Sequence, residues 1–381
     1  MTRPVAVFAM EWVPQYRAPF YNRLRDELSD RGVEMRLVHG DPPASRRKRN
    51  DSKVLEWAEY VPNRLWTVKG LEITHQPVLS RLKGADLVVL QQETGLVLNY
   101  LMLARRRLDG PKVALWGHGH NFNPREASGS AEKVKRVVTK WADWTFAYTE
   151  RSAEVFRSIG VDPGRITVVQ NSADIDSLRN PTGPVSDDVA RLVAELEADR
   201  AVVGWIVSAL DRWKRVPYLI EVLDRCAEHI PRFAFVALGA GDQAHLLTEA
   251  ARTRPWLHAI GARFGADKAA IGELASATIH PGLVGLHVIE AFATESPIVT
   301  ADLDYHSHEV SYLGADNSVI VPAAASADEF AGAVVSLLSD PVELARLRAG
   351  CKVASNTFTV EAMVDNFATG VVDALAADRS A

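Results

Sequence analysis

Glu290 is the one carboxylate in the apolar middle of "PGLVGLHVIEAFATESPIV" (Pro281–Val299). The stretch opens on a glycine-punctuated loop, turns helical and ends on a β-branched run. Residues of these types in this order suit an anion. Glycines let backbone N–H groups approach a phosphate, and the first turn of a helix adds positive potential. Gly282, Gly285 and Leu286, with Leu283 and Val284 between them, can present such groups, and Glu290, one turn into the helix, can accept hydrogen bonds from two hydroxyls. The plainer reading is a glycine turn before a core helix with a capping carboxylate. A further loop, "SALDRWKRV" (Ser208–Val216), carries Arg212 and Lys214, the latter a solvated surface lysine on the plainer reading. A second loop, "WGHGH" (Trp116–His120), carries His118 and His120. No His/Cys cluster has zinc spacing and no DxD-like pair stands out. The expectation is therefore that no metal is needed.

These residues must be positioned by post-strand loops. A chain of 381 residues is too long for one core and suggests two domains. The pattern is strand then helix, repeatedly. "VAVFAM" is a continuous apolar strand, as expected in a parallel sheet covered on both faces. "APFYNRLRDELSDRG" is a helix with a glycine stop, "VEMRLVHG" a strand, "ADLVVLQ" a strand, "TGLVLNYLMLARRRLDG" a helix and "PKVALWGHGH" a short strand ending in its loop. "EKVKRVVTKWAD" and "RSAEVFRSIG" read as helices around the strand "WTFAYTE". Residues 171–201 shift to turn formers and read as a linker. A second set follows: the strands "AVVGWIVSAL", "FAFVALGAGD", "WLHAIGARFG", "SATIHPG" and "SPIVTAD", with the helix "VPYLIEVLDRCAEHI" and later helices. The last segment places Val360, Met363, Val364, Phe367, Val371 and Leu375 at helical spacing. Two doubly wound α/β domains are expected, with ligands at the carboxyl ends of their strands.

The opening stretch, read on to Asp302, resembles the donor-binding segment of family 4 glycosyltransferases, retaining enzymes with the GT-B fold of two Rossmann-like domains facing across a cleft. "PQYRAPFYNRL" resembles the acceptor-side start of one branch, "TERSAEVFRSIGVDPGRITVVQNSAD" its interdomain segment, and "HSHEVSYL" a motif after the donor site. The combination, in this order, is specific. The resemblance implies a nucleotide-sugar donor, carrying UDP or GDP, and no cofactor. It implies that Glu290 holds the ribose, that Gly239 in "LGAGDQ" turns near the nucleotide, and that Arg263 and Phe264 in "GARF" present backbone to the base. It places Tyr16, Arg17 and His120 on the acceptor side and His118 at the transferred sugar. This chain departs from the family pattern twice. Gly282 stands where the first of the paired glutamates would fall. Ala209 stands where the phosphate-clamping arginine would, leaving Lys214 as the matching cation and Arg212 nearby. A bidentate guanidinium contact of that kind is worth about 1.5–3 kcal/mol.

The resemblance divides the chain into an acceptor-binding domain (1–176), a nucleotide-sugar-binding domain (177–357) and a C-terminal helix (358–381) packing on the first domain. The expected activity is retaining transfer of a sugar to a hydroxyl of a glycan, glycolipid or small-molecule glycoside. A nucleotide-sugar 2-epimerase and a non-catalytic nucleotide-sugar binder are the alternatives. Residues 1–176 carry a net charge of +6 and the remainder −11. The basic half points to an anionic acceptor or to peripheral membrane contact. Two candidates for that contact are the loop Arg46, Arg47, Lys48 and Arg49 and the helix carrying Lys133, Arg136 and Lys140; packing of Val134, Val137, Val138 and Trp141 on the sheet is the alternative for the helix. Two cysteines without metal spacing, no apolar run long enough to span a bilayer and no signal-peptide pattern indicate the cytoplasm.

Overall fold

A computed structural model describes residues 3–43, 53–68, 71–106, 110–119 and 129–379. His120 and the basic run at 46–49 lie outside them. The chain forms two compact units, Met1–Asp174 with Thr359–Ala381, and Ile175–Phe358.

The first unit is built on seven parallel strands. They are β1 (Val5–Met10), β2 (Glu34–His39), β3 (Glu59–Tyr60), β6 (Leu87–Gln91), β7 (Lys112–Gly117), β8 (Trp144–Ala147) and β9 (Ile166–Val168), in the order β3-β2-β1-β6-β7-β8-β9. An antiparallel pair, β4 (Arg64–Val68) and β5 (Leu71–His75), stands apart from the sheet. Only Val5 of β1 is not fully buried, which explains its unbroken apolar run: both faces of the sheet are covered. On one face the helix Ala18–Asp30 packs with the C-terminal helix Val360–Ala376. Phe367 of that helix stacks on Phe146 of β8, ring centroids 4.1 Å apart. Gly370 permits the approach, since a Cβ there would meet the Phe146 ring at 2.7 Å. On the other face lie the helix Val97–Arg105 and, through Val138, the helix Gly129–Lys140.

That last helix corrects the packing expected for it. Val134, Val137 and Trp141 are exposed, and the inward stripe is Lys135, Val138, Thr139 and Ala142. Thr139 can sit there because its hydroxyl is bonded on both sides: Gln92 Nε2 donates to it at 2.6 Å, and it donates to the Lys135 backbone carbonyl.

The second unit holds six parallel strands, β10 (Val202–Val207), β11 (Phe233–Leu238), β12 (Leu257–Gly261), β13 (Ala275–Ile279), β14 (Ile298–Ala301) and β15 (Ser318–Val321), ordered β12-β11-β10-β13-β14-β15. Chain order reverses between β10 and β13, so the loops after these two strands flank the topological switch point. The supposed linker 171–201 contains the helix Asp187–Ala198, which buries Val189, Leu192 and Leu196 against Trp205 and Val236. Its apolar positions follow a helical period that the turn formers before it obscure.

Candidate functional site

The loop after β10 is shaped by local chemistry. The Asp211 carboxylate accepts from the Trp213 N–H at 2.9 Å and starts a single 3₁₀ turn over Arg212–Lys214. Arg215 then takes a left-handed conformation (φ 53°) before the helix Val216–His229, a strained choice for a residue with a Cβ. This turn buries Lys214 and leaves Arg212 exposed over the Trp213 ring.

The loop after β13 docks on that turn backbone to backbone. A Cβ on Gly282 would lie 2.5 Å from the Trp213 carbonyl oxygen and against the Lys214 backbone. The Leu283 N–H donates to the same Trp213 carbonyl at 2.8 Å, and Lys214 Nζ donates to the Leu283 carbonyl at 2.5 Å. Glycine at 282 is thus a packing requirement of this loop pair. The Val284 N–H is also engaged, donating to His306 Nδ1 at 3.0 Å; His306 Nε2 is 2.6 Å from the Ala301 carbonyl, which makes it the protonated nitrogen. Of the expected cradle, the N–H groups of Gly285 and Leu286 take no protein partner among the described residues. The wall facing Gly285 is open, its nearest neighbour being Ser307.

Glu290 sits in the first turn of the short helix His287–Ala293, about one-fifth exposed. Lys268 Nζ donates to one carboxylate oxygen at 2.5 Å, and His287 Nδ1 lies 3.1 Å from the other. Burial pushes the carboxyl up, but the His287 hydrogen bond and the Lys268 charge outweigh it and hold Glu290 down at about 2. The carboxylate is ionised and already holds two donors; its remaining lone pairs can take hydroxyls. Sequence reasoning missed both partners. Lys268 belongs to the helix Gly265–Leu274, which follows "GARF" but carries no motif of its own. His287 is inside the motif, but its side chain is turned to the carboxylate only once the helix is formed.

Beneath the loop lies His280, which sequence reasoning also passed over. It is 1 % exposed, and neither ring nitrogen has a partner. Burial first, then the positive charge of Lys214, hold its imidazole far below the usual histidine range. It stays neutral.

Of the remaining second-unit candidates, Gly239 is fixed by its surroundings: a Cβ there would collide with the Ser208 carbonyl, and its N–H donates to the Gly261 carbonyl. This brings "LGAGDQ" against the start of the Lys214 loop. The Arg263 guanidinium is committed to Asp188 and Asp267, so only its backbone stays available for a base. Phe264 is 77 % exposed.

The first-unit candidates form their own group. His118 stacks on Tyr148, centroids 4.1 Å apart, at the end of β7. Tyr16 is exposed, with the Arg17 guanidinium 5.1 Å from its ring. Arg17 itself is buried. It donates to the Ser172 carbonyl at 2.8 Å and to Asn171 Oδ1, and lies 5.5 Å from the Trp116 ring. Its charge closes the unit internally instead of facing a ligand.

Comparison with known proteins bears on both units. The model for Glycosyltransferase Family 4 matches residues 20–177, and that for Glycosyl transferases group 1 matches residues 201–340. A D-inositol 3-phosphate glycosyltransferase of Gordonia bronchialis is 28 % identical over 267 residues, 63 % of this chain and 56 % of that protein. The chain thus spans little more than half the length of this curated relative. Among solved structures, Anabaena HepE in complex with UDP superposes with a TM-score of 0.69 at 17 % identity, over 97 % of this chain and 99 % of that one. Sucrose-phosphate synthase of Thermosynechococcus elongatus gives 0.68 at 17 % identity, over 99 % and 100 %. A putative UDP-N-acetylglucosamine 2-epimerase of Listeria monocytogenes gives 0.62 at 14 %, over 95 % and 94 %. The fold is therefore that of the GT-B enzymes, with two Rossmann-like parallel-sheet domains. Matched in both halves by family models, the chain belongs to the family 4 glycosyltransferases.

Proposed function

We propose that the chain transfers a sugar, with retention at the anomeric carbon, from a nucleoside-diphosphate sugar to an acceptor hydroxyl of a glycan, glycolipid or small-molecule glycoside. The second unit holds the donor and the first the acceptor. The observation that carries the reading is the junction of the two switch-point loops. There a buried ammonium, Lys214, is anchored to the Leu283 carbonyl beside the open amides of Gly285 and Leu286. Charge develops on the departing diphosphate, and preorganised donors in a dry site stabilise it without reorganising. Arg212, exposed on the same turn, is placed to add a second cation where Ala209 supplies none. Glu290, ionised across the physiological range, takes the ribose hydroxyls, with the Gly239 turn and the backbone at Arg263 and Phe264 beside the nucleotide. In the first unit His118 serves the transferred sugar or the acceptor, and Tyr16 the acceptor. HepE, which shares the fold, has been crystallised with UDP-glucose, which makes a uridine donor the first to try. The two cysteines are buried and free, which suits a reducing compartment, and the cytoplasm is the proposed location.

Incubation with labelled UDP- and GDP-sugars tests the reading, since product analysis separates transfer, epimerisation and bare binding. An axial–equatorial coupling constant that shows an inverted anomeric centre would reject retention. Lys214→Ala should lower both nucleoside-diphosphate affinity and kcat, by about tenfold or more each, as expected for a contact of 1.5–3 kcal/mol that strengthens as charge builds. If Arg212→Ala carries the larger loss, Arg212 is the clamp. If neither changes nucleoside-diphosphate binding, the diphosphate does not lie at this junction.

A further inference from the structure

The helix Gly129–Lys140 packs on the sheet with its more polar side. The buried stripe is Lys135, Val138, Thr139 and Ala142, while Val134, Val137 and Trp141 face outward at 44 %, 49 % and 45 % exposure. Folding alone gives no reason to place three large apolar side chains in water on one stripe. Alongside them run Lys133, Arg136 and Lys140, all exposed, and the helix contains one acidic residue, Glu132. The neighbouring helix on the same sheet face, Val97–Arg105, repeats the arrangement with exposed Tyr100, Leu101 and Arg105.

We propose that this face of the first unit docks on an anionic lipid surface. An apolar stripe with a basic border is what an interfacial helix needs: the apolar side chains enter the boundary between headgroups and acyl chains, and the cations meet lipid phosphates. Trp141 belongs to the same stripe, and an indole, apolar with one N–H donor, suits the boundary between headgroups and acyl chains. A nucleic acid would match the cations but leave the three apolar side chains unserved. No helix among the described residues is long and apolar enough to cross a membrane, so the contact is one of lying on the surface. The surface stands apart from the sugar-transfer reading and can fail or hold without it.

Flotation of the full chain with phosphatidylglycerol–phosphatidylcholine vesicles tests this, with phosphatidylcholine vesicles as the reference. The chain should float with the anionic vesicles, and K133Q/R136Q/K140Q should lower its partition coefficient roughly 100-fold, at about 1 kcal/mol per basic residue near the surface. V134S/V137S/W141S should also release it while keeping the circular dichroism of the parent, because none of the three side chains is buried in the core beneath the helix. Failure of the parent to float at low salt overturns the proposal. So does binding that survives the apolar triple variant, which would mark plain electrostatic adsorption.

Discussion

Among the described residues, His280 is buried, 1 % exposed, with both ring nitrogens unpartnered, and buried polar groups in native proteins are seldom left so. Neutrality makes this tolerable, because the desolvation cost of a neutral imidazole is far below that of an imidazolium. It also couples stability to pH. In the unfolded chain the group takes a proton near its ordinary value of about 6.5, while in the folded chain it does not until much lower pH. The unfolded state then binds more protons below about pH 6.5, so stability rises with pH through that range and falls on acidification. His280→Leu should flatten this dependence, by up to about 1.4 kcal/mol per pH unit between roughly pH 6.5 and 5. Urea melts of parent and variant across that window are the measurement. The buried His39 and the half-buried His258, whose imidazoles desolvation also holds low, contribute alike to both proteins. Parallel curves would place the depressed titration elsewhere.

At the scale of elements, the two loops at the switch point act as one piece. Gly282 lies against the Trp213–Lys214 backbone, and two hydrogen bonds on Leu283 close the junction. A side chain at 282 has backbone to displace, which cannot rotate away. Gly282→Ala should therefore cost about 1–3 kcal/mol, the usual range for overpacking, and weaken nucleoside-diphosphate binding by shifting Lys214. Gly282→Glu, which would recreate the family's paired glutamates, should be worse. Denaturant midpoints together with calorimetric titration of UDP would check this, and a stable, tight-binding G282E would show that the junction opens freely. Much of this was legible in the sequence. The strand–helix alternation and the long apolar strands announced the two sheets; the Gly-rich loop and Glu290 stand out by residue type and spacing, and Lys214 only by its resemblance to the family's clamp. What the sequence hid is what tertiary structure pairs. Lys268 reaches Glu290 from another helix, the His280 environment is assembled from separate loops, and Gly282 serves a backbone approach that no spacing encodes. The short strands β9 and β15, three and four residues long, carry too few positions for a period to register. For the helix Gly129–Lys140 the period was right and the face was turned, with Val138 alone of the expected stripe packed on the core, because Gln92 and the Lys135 carbonyl satisfy the buried Thr139.

At the scale of the molecule, each unit has its own cores, and the C-terminal helix belongs to the first. Val360, Met363, Val364, Phe367 and Val371 are buried among residues of β1, β6, β7 and β8, in a cluster that contains no residue of the 175–358 unit. Phe367 is its centre, stacked on Phe146 and edge-on to Trp116 at 5.1 Å. Arg17 reinforces the same closure, since its guanidinium reaches Asn171 and Ser172, where the chain leaves the first unit, and Met363, where it has returned. The last residues of the sequence are thus required by a sheet whose strands all lie in its first half. Phe367→Ala should remove about 3–5 kcal/mol, the ordinary loss for a large aromatic deleted from a core. The loss should fall on one unit. Native-state hydrogen exchange should show reduced protection in β1, β6, β7 and β8 and unchanged protection in β10, β11 and β13, which form part of a separate cooperative unit. UDP affinity should then be preserved, because every residue assigned to the nucleotide lies in the 175–358 unit. Equal loss of protection in both sheets would show that the chain opens as a single cooperative body, and the C-terminal helix would then be a determinant of donor binding as well as of the first unit's stability.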